Sequence, residues 1–285
     1  MTPENVAREL AGTVFGPVRF VASTGSTNAD LLAAARGGAA EGLVMVADHQ
    51  TAGRGRHGRS WVAPPGAALL ASALLRPPEA GSAMALLSPA TALAVRDACA
   101  AAGGDVLVKW PNDVIVRVPA EARAAGEPDE AKLAGVLAEL HVAADGTAAV
   151  VAGFGVNLVS QPALDATAAA RAGDPDSGFK PLPPIALDAV TARPPGRNEL
   201  LVSVLLRLDA WYRRLRGPAG ERDLLDELRR NSATLGRHVR VLTPGGTVAG
   251  RAEDLTADGK LLVATRDGTV AVTAGDCHHL RSGVS

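Results

Sequence analysis

The sequence predicts an α/β fold of the α+β kind: a large domain built on a mixed sheet with helices against it, then a small all-β domain. Three observations predict it. Strand candidates within 105–118 and 133–158 follow one another across short connections rather than in a regular strand–helix repeat, which suits a mixed or largely antiparallel sheet. Apolar residues recur at helical spacing elsewhere, most clearly in "NELLVSVLLRLDAWYRRL", 198–215. After Leu235 the texture changes to apolar–polar alternation punctuated by turn signals at Pro244–Gly246, Asp258–Gly259 and Asp267–Gly268. The break divides the chain into residues 1–232 and 233–285. With 285 residues, 47% of them hydrophobic, a full core for both units is within reach.

Taken in order, "VRFVAST" (18–24) reads as a strand. "STNADLLAAARGG" reads as a helix that Ser26 or Thr27 can cap and that Gly37–Gly38 stop. "GLVMVAD" (42–48) and "ALLASALLR" (68–76) are buried strands. "SPATALAVRDACAAAGG" (88–104) opens on Ser-Pro, a helix entry, and ends on two glycines. "DVLVKW", "DVIVRV", "LAGVLAELHV" and "AAVVAGFGVNL" supply four strands. Residues 119–131 are polar and acidic, an exposed loop by composition, and 161–197 read as an irregular excursion. In 198–215, Leu200, Leu201, Val204, Leu205, Leu208, Tyr212 and Leu215 share one helical face, and a shorter helix covers about 220–231. In the β-domain, Val239 and Val241, Leu261 and Val263, and Val270 and Val272 are set to point inward, as in a small barrel.

Composition narrows the function classes. Basic and acidic residues balance at 29 to 30, which argues against non-specific nucleic-acid binding, and aromatics are only 3%, too few for a base-stacking platform. Cys99 and Cys277 are far apart and show no metal-ligand spacing, which suits a reduced compartment. "MTPENVAREL" has no apolar signal core, and the longest apolar stretches are about half of the roughly 20 residues a membrane span needs. A soluble, cytoplasmic protein is expected.

The chemistry concentrates in five stretches. In "GRGRHGR" (53–59), Gly53, Gly55 and Gly58 let the backbone approach a ligand, while Arg54, Arg56 and Arg59 offer fixed charge and forked donors suited to carboxylate or phosphate. From spacing alone, anion binding stands level with a solvated turn or an arginine–glycine RNA tether; a Walker loop is excluded, since no G-x-x-x-x-G-K-[ST] is present. "VKWPND" (108–113) brings Lys109, Asn112 and Asp113 to a strand end, where Pro-Asn-Asp can equally be an ordinary turn. "KLAGVLAE" (132–139) opens an apolar strand with Lys132. "GFGVNL" (153–158) is a glycine-rich strand end carrying Asn157. "STGSTN" (23–28) is a helix cap, compatible with ligand binding at a helix N-terminus. His278 and His279 complete no metal set with Cys277, and His49 and His57 have no nucleophile partner, so no hydrolytic triad is read.

These five pieces, in this order, resemble the biotin–protein ligases (biotin–[acetyl-CoA-carboxylase] ligases), whose marks are S-T-N, G-R-G-R-x-G-R, K-W-P-N-D, K-L-A-G-[IV]-L-x-E and G-x-G-x-N. Here they stand at 26–28, 53–59, 109–113, 132–139 and 153–157. The resemblance implies a catalytic domain related in fold to class II aminoacyl-tRNA synthetases and a terminal SH3-like barrel. It implies a two-step reaction: biotin and Mg·ATP give biotinyl-5′-AMP, which acylates one lysine of a biotin carboxyl carrier domain. It places Ser26, Thr27 and Asn28 at biotin, with Gln50 and Gly53 also touching it. Arg54 and Arg56 meet the carboxylate and phosphate, with Arg59 and Lys109 on the nucleotide side. Trp61 packs against biotin or adenylate. Lys132 bridges the biotin carboxylate and α-phosphate. Asn112 and Asn157 contact adenine or phosphate, Gly135 and Gly155 leave room, and Asp113 positions a magnesium ion or orients the carrier lysine. No tightly bound prosthetic group is implied, and the oligomeric state stays open, a monomer included. Only 25 residues precede Ser26, too few for a DNA-binding domain with a linker, so a ligase without repressor function is expected. The segments 117–131 and 161–197 are longer than the family pattern leads one to expect. Lipoate ligases and octanoyltransferases share the architecture, but the arginine–glycine and K-W-P-N-D motifs favour biotin.

Overall fold

The computed structural model describes residues 1–77, 82–118, 128–161 and 181–280, with the side chains of 82 and 83 left aside. Its larger sheet takes β1 (Val18–Thr24), β2 (Val44–Gln50), β3 (Ala68–Leu75), β4 (Val106–Lys109), β5 (Asp113–Arg117), β6 (Glu130–Val142) and β7 (Ala148–Asn157). Their spatial order is β1-β2-β3-β7-β6-β5-β4; β1 and β2 run parallel and every other pair is antiparallel, the mixed sheet the sequence predicts. Helices are α1 (Pro3–Glu9), α2 (Thr27–Arg36), α3 (Ser82–Ala85), α4 (Leu87–Ala100), α5 (Leu187–Val190), α6 (Arg197–Leu215) and α7 (Gly220–Arg230).

The central strands β3 and β7 are buried along their whole length, which is why both read as continuous apolar or small-residue runs. Their side chains alternate between two faces. Leu69, Ala71, Ala73 and Leu75 of β3 and Val150, Ala152, Phe154 and Val156 of β7 join the main core under α4 and α6. Leu74, Ala149 and Val151 meet Leu31, Leu32 and Ala35 of α2 on the opposite face. On that second face the glycines Gly153 and Gly155 leave shallow ground beside Asn28 and Trp61. The apolar face expected of α6 is buried from Leu200 to Leu215, each buried Leu or Val contributing about 1.5–3 kcal/mol.

A second, antiparallel sheet is built from β8 (His238–Thr243), β9 (Gly246–Leu255), β10 (Leu261–Thr265), β11 (Gly268–Val272) and β12 (Asp276–His279), in the order β11-β10-β9-β8-β12. It docks on the β4 side of the large sheet. The Val108 amide donates to the Asn231 carbonyl at 2.9 Å and its carbonyl accepts from the Ala233 amide at 2.9 Å. Trp110 donates from Nε1 to the Gly259 carbonyl at 3.2 Å.

Several expectations need correction. Val270 does not point into the core: it is 40% exposed, because β11 is an edge strand with neighbours on one side only, while Val239, Val241, Leu261, Val263 and Val272 are buried. Ser26 sits at the N-cap of α2 but makes no side-chain cap hydrogen bond. Helix α4 begins at Leu87, so Ser88 and Pro89 lie in its first turn. Helix α1, with Thr2 as cap and Pro3 at its start, is not anticipated. The polar loop ends earlier than 131: Glu130 and Ala131 are buried strand residues. Its portion 119–127 lies outside the described residues, as does 162–180 of the excursion. In its described part, 181–197, Ala186 and Leu187 are buried and Pro184 is bridged to Lys132.

Candidate active site

The site lies on the α2 side of the large sheet, and a bulge decides what faces it. Val114 of β5 pairs with Ala134 and Ile115 pairs with Lys132, so Leu133 is an extra residue on β6. Strict alternation puts Lys132 on the side of Ala134 and Val136, under the helices. The bulge instead turns Lys132 to the face of Gly135, where a Cβ on that glycine would stand 3.5 Å from the lysine Nζ. The backbone of Lys132 is braced at three points: its amide donates to Pro183 at 2.7 Å, and its carbonyl accepts from the Ile185 amide at 2.9 Å and from Asn157 Nδ2 at 3.3 Å.

There Lys132 Nζ lies 2.6 Å from Asp113 Oδ1 and 5.6 Å from the centre of the Trp61 ring, within cation–π range. Burial alone would raise the Asp113 carboxyl. Lys132 and Lys109, with the Lys132 hydrogen bond, outweigh it and hold the group below the usual carboxylate range. Trp61 lies over the glycine floor: a Cβ on Gly155 would come within 2.6 Å of its Cε2, and one on Gly135 within 3.0 Å of its Cζ3. Glycine at 155 is therefore required for the indole to sit flat, and at 135 a side chain would press it by a few tenths of an ångström.

Toward α2 a polar floor is wired through Asn28, Ser72, Thr27 and Gln50. Asn28 donates from Nδ2 to the Leu137 carbonyl at 3.1 Å and to Glu139 Oε2 at 2.8 Å. Its Oδ1 accepts from Ser72 at 2.6 Å. Thr27 Oγ1 lies 2.7 Å from the Ser72 hydroxyl and 3.1 Å from Gln50 Oε1, so the two hydroxyls have two protons for three contacts. The Thr27 amide donates to Gln50 Oε1 at 2.8 Å. Ser26, Thr27 and Asn28 are all buried.

The arginine–glycine loop closes the other side. Trp61 donates its amide to the Gly53 carbonyl at 2.9 Å, and a Cβ on Gly53 would collide with the Trp61 carbonyl. Arg56 reaches Asn112 Oδ1 at 3.4 Å, and Asn112 returns its Nδ2 to the Val136 carbonyl at 2.7 Å. Burial lowers the Arg56 guanidinium from its ordinary value, against the attraction of Asp276 and Asp113. Arg54 pairs with Glu139 at 3.5 Å, and Arg59 pairs with Asp276.

The structure thus brings Arg56, Trp61, Asn112, Asp113, Lys132 and Gly135 to one cleft, with Asn28, Thr27 and Gln50 along its floor. It sends three residues elsewhere. Lys109 is buried and donates to the Cys277 carbonyl between the two sheets; Asn157 braces the backbone of Lys132 and Ile185; Arg59 faces the second sheet. Sequence reasoning passed over Ser72, whose signal is a lone hydroxyl within "ALLASALL", and Glu139, the last residue of "KLAGVLAE". It also passed over Asp276, for which the sequence carries no signal.

Comparison with known proteins gives this geometry a family. Residues 21–157 match the Biotin/lipoate A/B protein ligase family, and residues 234–280 match the Biotin protein ligase C terminal domain. The biotin--[acetyl-CoA-carboxylase] ligase of Mycobacterium tuberculosis (strain ATCC 25618 / H37Rv) is 37% identical over 95% of this chain and 92% of its own. This chain belongs to the biotin protein ligase family. A bifunctional ligase/repressor BirA from Bacillus subtilis (strain 168) is 27% identical over 85% of this chain and 67% of its own. Among solved structures, the biotin protein ligase from Aquifex aeolicus in complex with biotin and ATP superposes with a TM-score of 0.69 at 24% identity, covering 94% of this chain and all of that one, a likeness of fold. As in a biotin protein ligase, the mixed-sheet unit is followed here by a small antiparallel sheet.

Proposed function

We propose that this chain is an ATP-dependent biotin protein ligase that activates biotin as biotinyl-5′-AMP and passes the biotinyl group to one lysine of a biotin carboxyl carrier domain. The observation that carries the reading is Lys132, turned into the cleft by the bulge and held against Asp113 beneath the arginine–glycine loop.

In the first step a biotin carboxylate oxygen bonds to the α-phosphorus and pyrophosphate leaves. Two like charges at 4 Å repel by about 1 kcal/mol in water and about 4 kcal/mol at an effective dielectric of 20. Lys132 and Arg56 offset that repulsion, increasingly so as charge gathers in the transition state. In the second step the carrier lysine gives its ammonium proton to solvent and attacks the acyl carbon as the free amine; AMP departs and the second amine proton also passes to solvent. Asp113, held well ionised, is a weak base, so its part is to counter Lys132 and orient an incoming ammonium. Trp61 and the loop shield the mixed anhydride from water. The polar floor of Thr27, Asn28, Ser72 and Gln50 offers donors and acceptors suited to a ureido group.

Among the described residues no cluster of three or more His, Cys, Asp or Glu is placed to hold a metal. A magnesium ion of the kind that rides on substrate phosphates needs only one or two carboxylates; Asp113 is the carboxylate at hand, and such an ion would share it with Lys132. Such an ion supplies charge neutralisation on the leaving pyrophosphate. Cys99 and Cys277 are free and buried, with thiols pushed up by burial to about 12 and about 11, so neither is poised as a nucleophile. No helix among the described residues is long and apolar enough to cross a membrane.

Incubation with biotin, MgATP and an apo carrier domain, followed by avidin blotting, tests the reading; a carrier left unlabelled overturns it. Thermal shift with biotin against lipoate, each with MgATP, tests the choice of acid, and stabilisation by lipoate alone overturns it.

A further inference from the structure

Strand β12 is four residues long, yet it holds three of the segments that build the cleft. The Asp276 carboxylate accepts from Arg59 of the arginine–glycine loop. The Cys277 carbonyl accepts from Lys109, the residue that opens K-W-P-N-D. His279 lies 2.9 Å from Glu130, two residues before Lys132 on β6. Inside the loop, Gly55 donates to the Arg59 carbonyl at 2.6 Å and the Arg59 amide donates to the Arg56 carbonyl at 3.2 Å. Holding Arg59 therefore also fixes the short 3₁₀ turn that carries Arg56 (Arg56–Gly58). Asp276 faces Arg56 electrostatically as well.

We propose that Asp276 is a positioning residue for the nucleotide step: from the second sheet it anchors Arg59 and so keeps Arg56 aimed into the cleft. This rests on the reading that the loop receives the nucleotide phosphates. Without the anchor the loop keeps its charges but samples more orientations, so ordering it becomes part of the cost of binding ATP. Biotin, seated on the polar floor at the far side of Trp61, is not subject to that cost. The pair is partly exposed, so its effect is modest in size but specific to one substrate.

The test is biotin-dependent ATP–pyrophosphate exchange with the full chain, reading KM for MgATP, KM for biotin and kcat, alongside the melting temperature. Asp276→Asn is expected to raise KM for MgATP about fivefold, the scale of one partly exposed ion pair, with KM for biotin and melting temperature unchanged. Asp276→Glu restores the value, and in an Arg59→Ala background Asp276→Asn adds nothing, because the pair is already broken. An unchanged KM for MgATP in Asp276→Asn beside a raised one in Arg59→Ala overturns the proposal and leaves the assignment of the loop standing. A lowered melting temperature with unchanged KM overturns it in favour of a scaffold role. If Arg59→Ala itself leaves KM for MgATP unchanged, the anchor and the part of Arg59 in nucleotide binding fall together.

Discussion

Lys132 is the residue on which the proposed chemistry turns. Lys132→Ala is expected to lower adenylate formation about 100- to 1,000-fold, the scale of removing one preorganised charge at a developing anion. Pyrophosphate release without carrier measures it, and near-normal release would remove Lys132 from the chemistry. Gly153 tests the floor instead. A Cβ there would stand 2.0 Å from Asn28 Oδ1, so Gly153→Ala must turn the Asn28 amide and break its bond with Ser72. Overpacking of this kind costs about 1–3 kcal/mol. Calorimetric titration is expected to show biotin binding weakened about tenfold or more, with the cleft otherwise folded. Unchanged binding would mean that Asn28 has no part in seating biotin.

At the scale of elements, the loop and the bulge divide the work: β6 delivers the fixed ammonium and residues 53–61 close over it. Arg56→Gly keeps the backbone of the loop but removes its contact with Asn112, and is expected to leak adenylate, seen as biotinylation of bystander lysines. A trapping assay in which adenylate is retained would count against that role. The strands were legible in the sequence because β3 and β7 are runs of apolar or small residues broken only by Ser72 and Asn157, and α6 because its face repeats over five turns. The bulge was not legible. Leu133 and Ala134 are both apolar and both enter the helix-side core, so nothing in "KLAG" marks which of them is the extra residue. Val270 was misjudged for a related reason: alternation gives a face, and strand order, which decides whether anything covers that face, depends on pairings far apart in sequence. The destination of Lys109 was hidden in the same way, since its acceptor is a backbone carbonyl 168 residues away.

For the molecule as a whole, the two sheets meet through a buried polar network that protons can disturb. Glu130 forms an ion pair with Arg237 at 3.1 Å through Oε1 and lies 2.9 Å through Oε2 from His279, whose other nitrogen lies 3.0 Å from Thr234 Oγ1. Burial lowers His279 despite Glu130. It also lowers His278, aided by Lys109, Arg59 and His279 and opposed by Asp276, from its ordinary 6.5 to about 4. Folding thus keeps both rings neutral while the unfolded chain takes up protons, so stability falls as pH drops from 6.5 towards 4. The Asp113 contribution has the depressed-carboxylate sign and is lost only below 3.8. Denaturant titrations across this range are expected to show a steeper acid loss for the wild type than for His278→Gln; parallel curves would remove His278 from the effect. The indole stacked on bare glycine backbone beneath an ammonium has an optical consequence. Its fluorescence depends on that seat, and the emission difference between wild type and Trp61→Phe isolates it from Trp110 and Trp211. A stopped-flow trace of that difference would report the response of residues 53–61 to substrate without any label attached.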